Sequence, residues 1–143
     1  MFKFENVDDL KKLEKEAAFP DRLHEKTIYK SLKRVAKNFP SRPAISFQIT
    51  SKPGSKSETY TWSELHEIVV KAANVFRKVG IKKDDVIAFV LPNCSETAIS
   101  FLAGAITGIV NPINALLEPK QISHILRETN AKAIVTLSPM LKT

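Results

Sequence analysis

The sequence holds only four glycines, at positions 54, 80, 104 and 108. A phosphate cradle needs closely spaced glycines so that consecutive backbone N–H groups can approach an anion, and these four build neither G-x-G-x-x-G nor a P-loop. The nearest imitation is A-G-A-I-T-G, from Ala103 to Gly108. It lies inside an apolar helical pattern, where small residues serve close packing. A single cysteine, Cys94, excludes an intramolecular disulfide and a multi-cysteine metal site. It agrees with a reducing compartment, so the chain is expected to be cytoplasmic. The three histidines, His24, His66 and His124, are far apart, and none has a partner at metal-ligand spacing. No metal site is expected. No G-x-S-x-G is present, and Ser63, Ser95, Ser100 and Ser123 fall at helix starts or interiors, which leaves a nucleophilic hydrolase unsupported. The longest apolar stretch, Ala98 to Val110, is interrupted by Ser100 and Thr107. It falls well short of the ~20 residues that span a bilayer. The first residues, M-F-K-F-E-N-V-D-D-L-K-K, have no apolar run behind a basic start and carry acids, so they read as neither secretory signal nor transit peptide.

What is present is the balance of a folded domain, with 43% hydrophobic and 26% charged residues. The formal charge of +7 raises the question of an acidic partner. The lysines are spread along the chain among 15 acidic residues, as on a solvated surface, and no interleaved aromatics favour nucleic acid. Lys26, Lys30, Lys33 and Lys37 do line one helical face. That face is read as solvated, with weak contact to anionic lipid or to acyl-CoA phosphates as the functional alternative. Cys94 stands in the first turn of a predicted helix, a place that favours a thiolate. A small apolar filler is the reading taken here.

The chain divides by pattern. Residues 6 to 17 read as a thin surface helix with Val7, Leu10, Leu13 and Ala17 on one side, and Phe19-Pro20-Asp21 breaks it. A helix from Thr27 to Phe39 carries Ile28, Leu32, Val35, Ala36 and Phe39 at helical spacing and is ended by Pro40. Ala44 to Thr50 and Glu58 to Thr61 form a hairpin around the turn-rich Ser51 to Ser57 segment. Thr61 and Glu64 then have capping-box spacing ahead of a helix whose stripe is Leu65, Val69, Ala72, Ala73, Phe76 and Val79, with Gly80 as C-cap. Val86 to Leu91 is apolar on both faces, like a strand covered twice. Asn93 and Glu96 repeat the capping spacing before an apolar helix, expected to be deeply buried, that runs to Thr107. Ile109 to Pro112 is a strand. A helix opened by Pro119 turns Ile122, Ile125 and Leu126 inward, and Ala133 to Leu137 is the last strand. The alternation predicts an α/β fold: a partial parallel sheet with right-handed crossovers, preceded by two helices and a β-hairpin.

Four segments carry a resemblance. T-Y-T-W-S-E-L (Thr59 to Leu65), G-I-K-K-D-D-V-I-A-F-V-L-P-N (Gly80 to Asn93), G-I-V-N-P-I-N-A-L-L-E-P-K-Q-I (Gly108 to Ile122) and A-K-A-I-V-T-L (Ala131 to Leu137) follow one another as in the opening part of the adenylate-forming enzymes. The likeness is strongest to fatty and aromatic acyl-CoA ligases. Two positions depart from it: Asp84 stands where a glycine usually precedes the aspartate that Asp85 matches, and Ala115 where proline usually follows Asn114. The resemblance implies an N-terminal subdomain from 27 to 143, with residues 1–26 as a helical extension.

It also implies that the parent enzyme uses ATP and Mg²⁺ to turn a carboxylate into an acyl-adenylate and then transfers the acyl group to CoA. Activation is needed because oxide is a poor leaving group and AMP a good one. The phosphate-binding loop of such enzymes is expected beyond Thr143, so no catalytic, cofactor-binding or metal-ligating residue is carried onto this chain. It is expected to be inactive alone, to pair with the remainder of the parent, and to self-associate through an apolar face. Two alternatives stay open: an adenylation domain that loads a carrier protein, and a stand-alone basic α/β binding module for nucleic acid or membrane.

Overall fold

The computed structural model describes residues 5–138. Helix α1 (Val7–Glu16) is capped by Asn6, whose side chain accepts from the N–H groups of Asp8 and Asp9. None of its residues is buried, in agreement with its thin apolar stripe. The expected break at Phe19-Pro20-Asp21 is itself one helical turn, α2 (Phe19–Arg22), because proline at the first positions of a helix forfeits only a free N–H. Three helices rather than two therefore precede the hairpin. Helix α3 (Ile28–Asn38) is capped by Thr27 and buries Leu32 and Ala36.

Strands β1 (Pro43–Gln48) and β2 (Ser57–Thr61) pair antiparallel, with Ser46 opposite Thr59 and Phe47 opposite Glu58. Helix α4 (Trp62–Lys78) starts directly from β2, and each donor of its first turn has a partner. Trp62 N–H donates to the Arg42 carbonyl at 3.0 Å, and Ser63 N–H to that of Pro40 at 3.1 Å. Glu64 N–H donates to Thr61 Oγ1, and Thr61 N–H returns to the Glu64 carboxylate at 2.8 Å. The loop leaving α3 thus supplies acceptors that no local cap could reach. Leu65, Val69 and Ala73 of α4 are buried. Val79, read as part of the same stripe, is 64% exposed because it is the C-cap residue and has left the helical register. Gly80 follows at φ 89°, the left-handed conformation expected of it.

The second half is a three-stranded parallel sheet in the order β4-β3-β5, from β3 (Val86–Val90), β4 (Ile109–Ile113) and β5 (Ala131–Thr136). Central β3 is covered twice. Ile87 and Phe89 point toward α4 and α5 (Ser95–Thr107), where Phe76 and Phe101 meet the Phe89 ring edge-on at centroid distances of 6.2 and 5.0 Å. Ala88 and Val90 point toward α6 (Pro119–Glu128), packing with Ile122, Ile125 and Leu126, which are partly buried. Each full burial of a residue such as Phe89 contributes roughly 1.5–3 kcal/mol.

Helix α5 is less enclosed than its composition suggests. Ser95, Ile99, Ala103, Gly104 and Thr107 are buried, while Ala105 is open to solvent. Its buried side is divided between α4, which Ile99 and Ala103 meet, and the sheet. Gly104 faces the sheet: a Cβ there would lie 2.9 Å from Phe89 Cζ and 3.0 Å from Val110 Cγ2. The A-G-A-I-T-G segment is therefore a packing device.

At the amino ends of the strands, Asp85 gathers the chain. Its carboxylate pairs with Lys132 Nζ at 2.7 Å and accepts from Lys82 N–H at 2.6 Å, and these two bonds, Lys132 first, hold its pKa below the ordinary carboxylate value. Its backbone carbonyl accepts from Ile109 N–H at 2.9 Å. Gly108 sits against the same point, where a Cβ would fall 2.6 Å from the Asp85 carbonyl oxygen and 3.0 Å from that of Lys82. These obstacles are backbone atoms and cannot rotate away. Gly108→Ala is expected to lower stability by about 1–3 kcal/mol. A urea titration followed by Trp62 fluorescence should show a lower midpoint at unchanged slope; an unchanged midpoint would refute the contact.

Candidate functional site

In a parallel sheet the strand carboxyl ends share one edge, and ligands of open α/β sheets bind where successive connections leave in opposite directions. Here α5 leads from β3 to one neighbour and α6 leads back to the other. A crevice of about 480 Å³ opens at that edge, between the end of β3, the start of α5 and the loop after β4. Phe89, Leu91, Pro92, Phe101, Pro112, Ile113 and Leu116 give it apolar walls, and Asn93, Thr97 and Asn114 give it polar groups. No charged side chain lines it.

The polar groups largely hold the two loops. Thr97 Oγ1 donates to the Pro92 carbonyl at 2.6 Å, leaving the Cys94 thiol to donate to Thr97 Oγ1 at 3.1 Å. Asn114 Oδ1 accepts from Leu116 N–H at 3.0 Å, a local turn that sets the loop tip. Asn93 is exposed at the rim. Such a lining suits an apolar or neutral group and offers a phosphate nothing to neutralise it. The expected Asn93/Glu96 cap does not form: Cys94 is the N-cap residue and makes no side-chain cap bond. The chain stays extended one residue longer than the spacing suggests, and Cys94 is half-buried against Thr97.

Beneath the crevice, the first residue of α5 is fastened to the hairpin. Ser95, 1% exposed, donates its hydroxyl to Glu58 Oε2 at 2.5 Å, and Tyr60 O–H donates to Glu58 Oε1 at 2.6 Å. The Ser95 bond, then that of Tyr60, holds the Glu58 carboxyl below its ordinary value, and the shared carboxylate pushes the Tyr60 phenol up to about 12. This cluster joins residues 37 positions apart. The sequence reading missed it, since Glu58 carries no local signal beyond being a strand acid opposite a hairpin turn.

A second hollow of about 490 Å³ lies between α3, β1, α4 and α5, walled by Leu23, Ile28, Leu32, Val35, Ala44, Ile45, Trp62, Leu65 and Leu102. The other sequence candidates stay apart. His24 and His124 are exposed. His66 is half-buried: its ring centroid lies 6.1 Å from that of Tyr29 and its Nε2 is buried without a partner. The reason is that α3 packs along α4 and closes that side of His66. Lys26, Lys30, Lys33 and Lys37 are exposed, with Lys33 Nζ 6.0 Å from the Tyr29 ring centroid. Among the described residues no group of His, Cys, Asp and Glu could hold a metal ion, and no helix is long and apolar enough to cross a membrane.

The family model described as AMP-binding enzyme matches residues 32–143. A marinolic acid–CoA ligase of Pseudoalteromonas sp. is 31% identical over 134 residues, covering 94% of this chain and 20% of that protein. The 4-coumarate–CoA ligase 1 of Arabidopsis thaliana is 34% identical over 84 residues, covering 58% of this chain and 15% of that protein. Among solved structures, the inhibitor-bound N-terminal domain of FACL13 from Mycobacterium tuberculosis superposes with a TM-score of 0.68 at 24% identity, covering 82% of this chain and 29% of that one. NpsA-ThdA, an artificially fused adenylation-PCP di-domain from Klebsiella oxytoca, superposes with a TM-score of 0.68 at 22% identity, covering 78% of this chain and 20% of that one. The chain thus spans a fifth or less of the curated relatives named here, and the structural likeness is one of fold.

The Glu58 cluster sets an acid dependence. Because the folded pKa lies below the ordinary 4.5, its stabilisation is fully present above that value and is lost as pH falls through the folded one. Glu58→Gln is expected to flatten part of the decline in urea midpoint between about pH 5 and pH 3. Glu64, Glu67 and Asp85, also lowered, act in the same direction. A Glu58→Gln profile parallel to that of the parent chain over this range would exclude the cluster as a contributor.

Proposed function

The chain belongs to the AMP-binding enzyme family, and from that premise we propose that it is the N-terminal part of an ATP-dependent ligase that joins a fatty or aromatic acid to CoA. The observation that carries this reading is the match across residues 32–143 together with relatives that act as acid–CoA ligases. Residues 27–143 form the subdomain in this proposal, and residues 1–26 a helical extension of it. The chain supplies scaffold: a doubly covered central strand and a crevice at the strand ends that presents neutral groups.

ATP, Mg²⁺ and CoA are the reactants expected of the whole ligase. The described residues do not fit ATP or Mg²⁺, because the four glycines form no phosphate cradle and no carboxylate group is placed for a metal. No step of adenylation is therefore assigned to a side chain here. The apolar side chains left open along the sheet and loops, such as Leu116 at 91% and Ile134 at 51% exposure, are proposed to meet the remainder of the parent.

The second reading, a domain that loads a carrier protein, is favoured by the superposition on the fused adenylation-PCP di-domain. The two differ in the acceptor of the acyl group. The 143-residue chain alone is expected to give no ATP–pyrophosphate exchange with any fatty or aromatic acid. Reconstituted with the rest of the parent, it should give acid-dependent exchange and a CoA thioester. Exchange by the chain alone would overturn the scaffold assignment, and a thioester formed only on a carrier protein would move the protein to the second reading.

A further inference from the structure

The positive charge of this protein is concentrated in structure in a way the sequence hides. No Asp or Glu occurs from Thr27 to Ser57, which includes all of α3, nor in α4 after Glu67. Helix α5 has none after Glu96. Between these helices lies a recess of about 260 Å³, lined by Tyr29 of α3, Val70, Ala73, Asn74 and Arg77 of α4, and Ile106 of α5. Val70, Ala73 and Ile106 are apolar; Tyr29, Asn74 and Arg77 carry a phenol, an amide and a guanidinium, and all three are exposed.

Arg77 has no carboxylate partner among the described residues: its Nη1 donates to Asn74 Oδ1 at 3.3 Å, a neutral acceptor that leaves the charge uncompensated. Lys33 lies over the Tyr29 ring. His66, behind that ring, does not line the recess, so the uncompensated charge at its wall is that of Arg77. A guanidinium fork, a phenol O–H and an amide N–H around one small hollow match the several acceptor oxygens of a tetrahedral dianion. The surrounding cations, without acids on the same segments, raise its local concentration.

We propose that the Tyr29–Asn74–Arg77 recess binds the phosphate group of a phosphomonoester, carried either by a soluble molecule or by a lipid headgroup. This site is separate from the crevice at the strand ends, and the proposal does not rest on the ligase reading.

The test uses the ¹⁵N-labelled 143-residue chain titrated with inorganic phosphate at constant ionic strength, with chloride as the balancing ion. Saturable shifts of the Asn74 side-chain amide and of Arg77 are expected. Arg77→Gln should weaken binding about tenfold or more, as for loss of a charged hydrogen-bond partner. Tyr29→Phe should weaken it less, and Lys83→Gln, outside the recess, should leave it unchanged. Vesicles of phosphatidylcholine with and without phosphatidic acid separate the sources. Co-sedimentation that needs phosphatidic acid and Arg77, and that inorganic phosphate displaces, assigns a lipid headgroup. Saturable phosphate binding without co-sedimentation assigns a soluble ester. Shifts that do not saturate, that chloride reproduces, or that Arg77→Gln leaves intact overturn the proposal.

Discussion

Everything in the second half of this protein depends on β3 being dry on both faces. Ile87, Ala88, Phe89 and Val90 are each 5% exposed or less, so the strand must have a helix layer on each side and a paired strand along each edge. A parallel neighbour cannot be reached by a tight turn, which makes α5 and α6 obligatory crossovers and sends them to opposite faces. The bulk of Phe89 then sets the spacing of the upper layer, where only glycine at position 104 lets α5 approach.

The first half is attached by polar bonds at its joints and by apolar packing between them. The free donors at the start of α4 are met by carbonyls from the loop after α3 and by the Thr61–Glu64 box. Leu65, Val69 and Ala73 pack with Ile99 and Ala103 of α5, and Thr107 donates to the Ala103 carbonyl at 2.9 Å. Glu58 and Ser95 close the opposite end of this contact. The hairpin is thereby held against the helix whose first turn borders the crevice.

Much of this was legible in the residues. The Thr61/Glu64 spacing, the stripe of α4 and the run Val86 to Leu91 were read correctly because each is a local pattern with one dominant physical cause. Reading failed where two causes competed. Asn93 and Glu96 have the spacing of a cap, yet the chain enters α5 one residue later at Cys94. His66 sits beside Glu67 in sequence, yet α3 covers it. The crevice at the strand ends was not identified, because its neutral lining comes from loops around two different strands and has no chemical signature in either.

By itself the sequence determined the alternation of strands and helices, the caps, the family likeness and the absence of a glycine-rich phosphate loop. These follow from periodicity, side-chain chemistry and residue count, all of which act over a few positions. Only the tertiary structure decided that Glu58 would meet Ser95, that Asp85 would join Lys82 to Lys132, and that the acid-free stretches of α3, α4 and α5 would enclose one recess. Those contacts join distant residues, and packing fixes their geometry. It is the burial of β3 and of the α4–α5 seam that brings them within hydrogen-bonding reach.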